Sequence, residues 1–87
     1  MSAQVWLITG ASAGLGLSIA KAALASGRKV IATSRKPEKS ANEAAEFKRS
    51  GRGAWMKLDV TSDGLEEQLH DCLAKFGRVD VLVNNAG

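Results

Sequence analysis

A glycine-rich stretch at residues 9–16, with the sequence Thr-Gly-Ala-Ser-Ala-Gly-Leu-Gly, has the residue types and the spacing that suit a phosphate group. Its glycines follow the pattern G-x-x-x-G-x-G, which is related to the dinucleotide fingerprint G-x-G-x-x-G without matching it. Glycine allows a tight turn and lets backbone N–H groups approach a pyrophosphate, because no side chain stands between them. The hydroxyl of Ser12 offers one more donor. This stretch therefore predicts a phosphate-binding turn.

Each glycine of the stretch has a separate predicted role. Gly10 permits a tight turn at the end of an apolar segment, Gly14 lets backbone come close to a pyrophosphate, and Gly16 lets a helix pack closely on a sheet. The glycine spacing is weak evidence by itself, but it lies between a strand pattern and a helix pattern, as a nucleotide-binding turn requires. The other common phosphate loop, G-x-x-x-x-G-K-[ST], does not fit, because position 15 is Leu.

The end of the second apolar segment discriminates between dinucleotide cofactors. A free ribose 2′-hydroxyl is usually bound by an Asp or Glu at this position, whereas a 2′-phosphate needs a cation. The sequence has Ser34 followed by Arg35 and no carboxylate at either position. A guanidinium binds a phosphate with paired N–H donors, and the serine hydroxyl can assist. NADP(H) is therefore predicted over NAD(H), against the alternative that Arg35 is an ordinary surface cation.

Strand and helix patterns alternate along the whole chain. Short apolar segments at 4–9, 29–34, 54–59 and 79–83 predict buried strands, and residues 15–26 and 40–50 predict helices that end at glycines. Such alternation is typical of an α/β fold with a doubly wound parallel sheet of the Rossmann type. Right-handed crossovers predict the strand order 3-2-1-4, with the fourth strand at an open edge.

A third helix is predicted after Asp63. Asp63 and Glu66 have the spacing of a capping box, so Asp63 is the expected N-cap residue. Apolar residues then recur at the intervals of one helix face, which is expected to pack on the sheet. These residues are Leu65, Leu69, Cys72, Leu73 and Phe76.

Composition excludes several classes of protein. The 87 residues carry a formal net charge of +3 and contain one Cys, one His and no Tyr. One Cys excludes an internal disulfide, and together with the single His it leaves no metal site predicted. The basic residues are dispersed and not interleaved with aromatic residues, so no nucleic-acid partner is predicted. No signal peptide or membrane-spanning run is apparent, and a cytoplasmic location is expected.

Three motifs together resemble the short-chain dehydrogenase/reductase family: residues 9–16, the Leu-Asp-Val-Thr at 58–61, and the Asn-Asn-Ala-Gly at 84–87. The resemblance covers the whole chain in order and spacing. It implies that the glycine turn holds a pyrophosphate, the end of the second strand selects the cofactor, the Asp-Val pair lies against adenine, and the Asn-Ala-Gly segment lies near the nicotinamide ribose. The implied cofactor-binding residues are Gly10, Ser12, Gly14, Leu15, Gly16, Ser34, Arg35, Asp59, Val60, Asn85, Ala86 and Gly87.

The same resemblance implies hydride transfer between NADP(H) and a carbonyl or alcohol substrate. The family's catalytic Asn, Ser and Tyr-x-x-x-Lys follow the Asn-Asn-Ala-Gly motif, and this sequence contains no Tyr. Residues 1–87 are therefore expected to be a partial Rossmann domain that binds the cofactor, with no catalytic residue and no activity alone. The alternative is a non-catalytic nucleotide-binding or interaction module. The open edge of the fourth strand also predicts self-association.

Overall fold

The computed structural model describes residues 3–85 of the chain. Strands and α-helices alternate as the sequence predicts, with one short 3-10 helix in addition. In chain order the elements are β1 (Val5–Ile8), α1 (Gly14–Ala25), β2 (Lys29–Ser34), a 3-10 helix (Pro37–Ser40), α2 (Ala41–Arg49), β3 (Gly53–Lys57), α3 (Leu65–Lys75) and β4 (Val81–Val83).

The four strands form one parallel sheet in the order β3-β2-β1-β4, which confirms the predicted order. In the ladder between β1 and β2, Val5 lies opposite Lys29. In the ladder between β2 and β3, Val30 lies opposite Gly53. Because all four strands are parallel, their carboxyl ends lie together at one end of the sheet, where ligands of such folds bind.

The helices cover the two faces of the sheet unequally. The helices α1 and α2 pack on one face around a core whose largest fully buried side chains include Phe47 and Ile8. On the other face, α3 inserts Cys72 among Val5, Leu7 and Ile31. The α/β doubly wound fold is therefore confirmed, and α3 stands alone on its face among the described residues.

The strand β4 is shorter than the predicted segment at 79–83, and Asp80 supplies the reason. Its backbone N–H donates to the Val5 carbonyl at 2.8 Å, and its carboxylate accepts the Val5 N–H at 2.7 Å. A side-chain oxygen thus replaces a backbone carbonyl at the start of the ladder. Arg78 donates to the same carboxylate. The hydrogen bond from Arg78 and, to a smaller extent, the one from the Val5 N–H hold the pKa of Asp80 below its usual range.

The prediction that Asp63 caps the third helix is wrong. The N-cap residue of α3 is Gly64, and no side chain caps it. Instead, the Ser62 hydroxyl oxygen accepts the Gly64 N–H at 3.0 Å. The Leu65 N–H, one of the donors that an Asp63 cap would need, already donates to the Ser62 carbonyl at 3.2 Å.

The predicted apolar face of α3 is only partly buried. Cys72 is fully enclosed, and burial raises the pKa of its thiol. Leu69 and Leu73, in contrast, are 37% and 49% exposed. A helix of this periodicity normally buries the whole stripe, and within residues 3–85 no element covers these two leucines.

Candidate functional site

The turn between β1 and α1 has a backbone that only glycine adopts easily. Gly10 and Gly14 have φ angles of 61° and 59°, in the left-handed region. In addition, the Ala11 N–H donates to the Thr33 carbonyl of β2 at 2.9 Å. The glycine turn is thus fixed against the neighbouring strand β2.

Gly16 lies where α1 passes closest to this turn. A Cβ atom at Gly16 would stand 2.2 Å from the Gly10 carbonyl oxygen and 2.5 Å from Nδ2 of Asn85. Real Cβ contacts are never this short, and the first neighbour is backbone that cannot move aside cheaply. The sequence predicts that Gly16 lets α1 pack closely on the sheet. In the structure the closest contacts of this position are with the glycine turn and with Asn85.

The first turn of α1 presents backbone N–H groups that have no acceptor within the helix. Its N-cap residue, Ala13, is extended, and no side chain caps it. No acidic residue lies in this turn, and Leu15 at its start is 68% exposed. The positive end of the helix dipole is therefore uncompensated, and this arrangement can accept an anion.

Asn85 joins the end of β4 to the glycine turn. Its side-chain Nδ2 donates to the Gly10 carbonyl at 3.1 Å, and its backbone N–H donates to the Thr9 hydroxyl at 2.9 Å. The Thr9 hydroxyl in turn contacts Oδ1 of Asn84 at 3.3 Å. Thr9 belongs to the motif but was not predicted as a site residue. Ala86 and Gly87, the other predicted residues of this segment, lie outside the described residues.

A cavity of about 510 Å³ opens beside the turn at the carboxyl ends of β2 and β3. It brings together four of the predicted residues, Ser12, Ser34, Arg35 and Asp59. Residues not predicted as site residues complete its wall, and these are Lys36, Glu38, Lys39 and Lys57. Four cations against two carboxylates make this cavity basic, so it attracts anionic groups.

Ser34 and Asp59 are held in place by hydrogen bonds within this cavity. The Ser34 hydroxyl oxygen accepts the indole N–H of Trp55 at 3.1 Å, and the residue is buried. Oδ1 of Asp59 accepts the hydroxyl of Thr61 at 2.7 Å and the Thr61 N–H at 3.0 Å. These two bonds, with a smaller contribution from the charge of Arg35, keep the pKa of Asp59 low. Asp59 therefore acts as a charged acceptor at neutral pH.

Val60 is separated from the other predicted residues. Its side chain is 57% exposed and lines an apolar groove of about 290 Å³ on the α3 side, with Leu65, Leu69 and Leu82. Val60 lies beyond the last residue of β3, Lys57, in the segment that leads to α3. The site thus combines a basic cavity, a glycine turn and this apolar groove.

Within residues 3–85 no group of His, Cys, Asp and Glu side chains is arranged to bind a metal ion. In the same residues, no helix has the length and apolar content needed to span a bilayer.

Comparison with known proteins gives consistent matches. Residues 4–87 match the family described as short chain dehydrogenase. Oxidoreductase BOA17 of Botryotinia fuckeliana is 47% identical over 85 residues, which cover 97% of this chain and 31% of that protein. The 3-oxoacyl-[acyl-carrier-protein] reductase FabG of Salmonella typhimurium is 40% identical over 85 residues, which cover 97% of this chain and 34% of that protein. The chain spans about a third of the length of these relatives.

Solved structures agree with the sequence matches. A short-chain dehydrogenase from Streptomyces avermitilis superposes with a TM-score of 0.88 at 48% identity, over 100% of this chain and 32% of that one. Actinorhodin polyketide ketoreductase with NADPH superposes with a TM-score of 0.83 at 34% identity, over 98% of this chain and 33% of that one. The Pseudomonas aeruginosa RhlG/NADP complex superposes with a TM-score of 0.81 at 32% identity, over 100% of this chain and 36% of that one.

The contact at Gly16 predicts the effect of a single methyl group. Gly16→Ala should destabilise the protein by about 3 kcal/mol, because the added Cβ overlaps the Gly10 carbonyl. Ser18→Ala, at an exposed position of the same helix, is the matched control and should change stability little. The free energies of unfolding of both variants can be measured in urea. A Gly16→Ala variant as stable as the wild type would contradict the close contact, since Gly→Ala within a helix otherwise stabilises.

Proposed function

The chain belongs to the short-chain dehydrogenase family, and on that premise we propose that residues 1–87 are the cofactor-binding part of an NADP-dependent oxidoreductase. In this proposal the residues form one partial Rossmann domain. The reaction is hydride transfer between NADP(H) and a carbonyl or alcohol substrate. The basic cavity beside the uncapped end of α1 is the observation that carries the proposal.

The glycine turn is proposed to bind the pyrophosphate. Its uncapped N–H groups and the helix dipole favour a negative charge at this point, and Ser12 adds a hydroxyl at the edge of the cavity. A Cβ atom built at Gly14 would meet no atom within 4 Å, so the space beside this backbone is open to a ligand. Residues assigned to this role are Gly10, Ser12, Gly14, Leu15 and Gly16.

Arg35 and Ser34 are proposed to bind the 2′-phosphate of NADP. Arg35 is exposed and lines the cavity, and a guanidinium can bind a phosphate with two parallel hydrogen bonds. Ser34, whose oxygen accepts from Trp55, retains its own O–H as a donor. The nearest following carboxylate, Glu38, lies in the 3-10 helix and not at the end of β2, where a ribose-binding acid is expected.

The remaining predicted residues complete the cofactor site in this proposal. Asp59, held as a carboxylate by Thr61, is suited to accept a hydrogen bond from the adenine. Val60, which lines the apolar groove and not the basic cavity, is assigned an apolar contact with the same base. Asn85, with Ala86 and Gly87, is assigned to the nicotinamide end, which agrees with its position at the end of β4 next to β1. The NADPH and NADP named with two of the structural relatives support this cofactor.

The bound cofactor would supply or accept the hydride, while this chain binds and orients it. The proton that accompanies the hydride needs a separate donor, and the 87 residues contain no Tyr to fill that role. We therefore propose that these residues bind NADP(H) without catalysing the reaction on their own.

Arg35→Ala is expected to weaken NADP binding by about tenfold, because it removes the charge-assisted contacts to the 2′-phosphate. NAD binding should change less than about twofold, since NAD has no phosphate at this position. Arg49→Ala, which removes the same charge from the exposed surface of α2, is the control. Dissociation constants for both cofactors can be measured by calorimetry. Equal affinity of the wild type for NAD and NADP, or unchanged NADP affinity in Arg35→Ala, would refute this role.

The purified 87-residue protein is expected to bind NADPH without oxidising it. Absorbance of NADPH should stay constant with a panel of aldehyde and ketone substrates, and a binding measurement on the same preparation shows that the site is intact. Oxidation that rises with protein concentration would overturn the proposal. A coding sequence beyond Gly87 that contains Tyr-x-x-x-Lys would identify the oxidoreductase, whereas a stop codon there would favour the non-catalytic module.

Self-association through the open edge of β4 is also proposed, with a second copy of the chain as the partner. Among the described strands β4 lies at an edge of the sheet, and unpaired strand edges favour pairing. Its Leu82 is 61% exposed on the α3 side and adds apolar surface beside that edge. Sedimentation should show a dimer that dissociates on dilution, and Leu82→Lys should abolish it while Ala22→Lys does not. A wild type that stays monomeric at high concentration contradicts this.

A cytoplasmic location likewise stays a prediction.

A further inference from the structure

Lys57 is a cation of the basic cavity that comes from a different strand than Arg35. It is the last residue of β3, and in the parallel ladder it lies opposite Ser34, the last residue of β2. The Leu58 N–H donates to the Ser34 carbonyl at 3.0 Å, which extends the ladder by one hydrogen bond beyond the strand ends. The backbone of Lys57 is therefore fixed relative to Ser34.

The side chain of Lys57 is directed to the Ser34 side of the sheet. Trp55, two residues earlier on β3, lies on the same side because side chains alternate along a strand. The indole of Trp55 reaches the Ser34 hydroxyl at 3.1 Å, which identifies that side. Lys57 itself is exposed and lines the cavity of about 510 Å³ together with Arg35.

The charge of Lys57 is available to a ligand. Among residues 3–85 the ion pair within 4 Å is that of Arg78 with Asp80, so no carboxylate neutralises the Lys57 ammonium at that distance. Arg35 and Lys57 both lower the pKa of Asp59, after the larger effect of the Thr61 hydrogen bonds. The two cations are thus within electrostatic reach of the same point in the cavity.

We propose that Lys57 is a specificity-determining residue, which binds the 2′-phosphate together with Arg35 and strengthens the preference for NADP. This inference rests on the proposed function. A phosphate monoester carries close to two negative charges at neutral pH, so a single guanidinium leaves part of its charge uncompensated. An ammonium arriving from β3 supplies the second positive charge, and its flexible stem lets it reach the phosphate without moving the sheet.

The test isolates the 2′-phosphate by comparing adenosine 2′,5′-bisphosphate with adenosine 5′-monophosphate. Lys57→Gln should weaken binding of the bisphosphate by about fivefold, the size expected for one partly screened charge pair. Binding of the monophosphate should change less than about twofold. Lys57→Arg should retain the preference, because it retains the charge. Lys48→Gln, at an exposed position of α2 that lines a different cavity, controls for net charge.

Salt provides an independent readout on the same variants. The discrimination between the two nucleotides should fall as ionic strength rises, and it should fall less steeply in Lys57→Gln, because one screened charge has been removed. If Lys57 had a purely structural role, Lys57→Gln would weaken the binding of both nucleotides equally. Circular dichroism and urea unfolding establish that each variant is folded, which is expected since the side chain is exposed.

The outcomes separate the two proposals. If the wild type prefers the bisphosphate and Lys57→Gln behaves like Lys48→Gln, Lys57 has no such role while the proposed cofactor site stands. If the wild type does not prefer the bisphosphate at all, both the NADP proposal and the role of Lys57 are refuted. A selective loss in Lys57→Gln, with Lys57→Arg unaffected, supports the inference.

Discussion

The contact between the start of α1 and the glycine turn is the constraint on which the rest of the site depends. There is no room for a side chain at Gly16, because the Gly10 carbonyl and the Asn85 amide fill the space. The Asn85 amide donates to that same carbonyl, and the Ala11 N–H ties the turn to β2. The turn is therefore fixed by contacts from both neighbouring strands, and α1 presents its N-terminus at a fixed position beside the basic cavity.

The charge distribution follows from the parallel sheet. All four strands end at one edge, so residues that follow different strands meet there although they are distant in sequence. Arg35 follows β2, Lys57 ends β3, and Ser12 belongs to the turn after β1. Together with the positive end of α1, they form a surface suited to a ligand with several phosphates. Asp59, kept charged by Thr61, adds one oriented acceptor.

The two faces of the sheet differ in how completely they are covered. On the face of α1 and α2, Phe47 packs edge-on against Trp55 with ring centroids 5.2 Å apart, and the apolar core is continuous. On the face of α3, Cys72 is enclosed while Leu73 remains about half exposed. The chain spans about a third of its relatives' length, and the described residues leave this part of the apolar surface open to solvent.

Much of the fold was set by local sequence signals. Glycines at positions 10 and 14 specify the left-handed turn, and the apolar run at 29–34 gives β2 with the same bounds, because these signals act within a few residues. The sequence predicts Ser34, Arg35 and Asp59 as site residues, and all three line the same cavity. Only the tertiary structure decided that Lys57 shares their cavity and that Val60 does not. The register between strands depends on which groups become neighbours, and the sequence pattern does not contain that information.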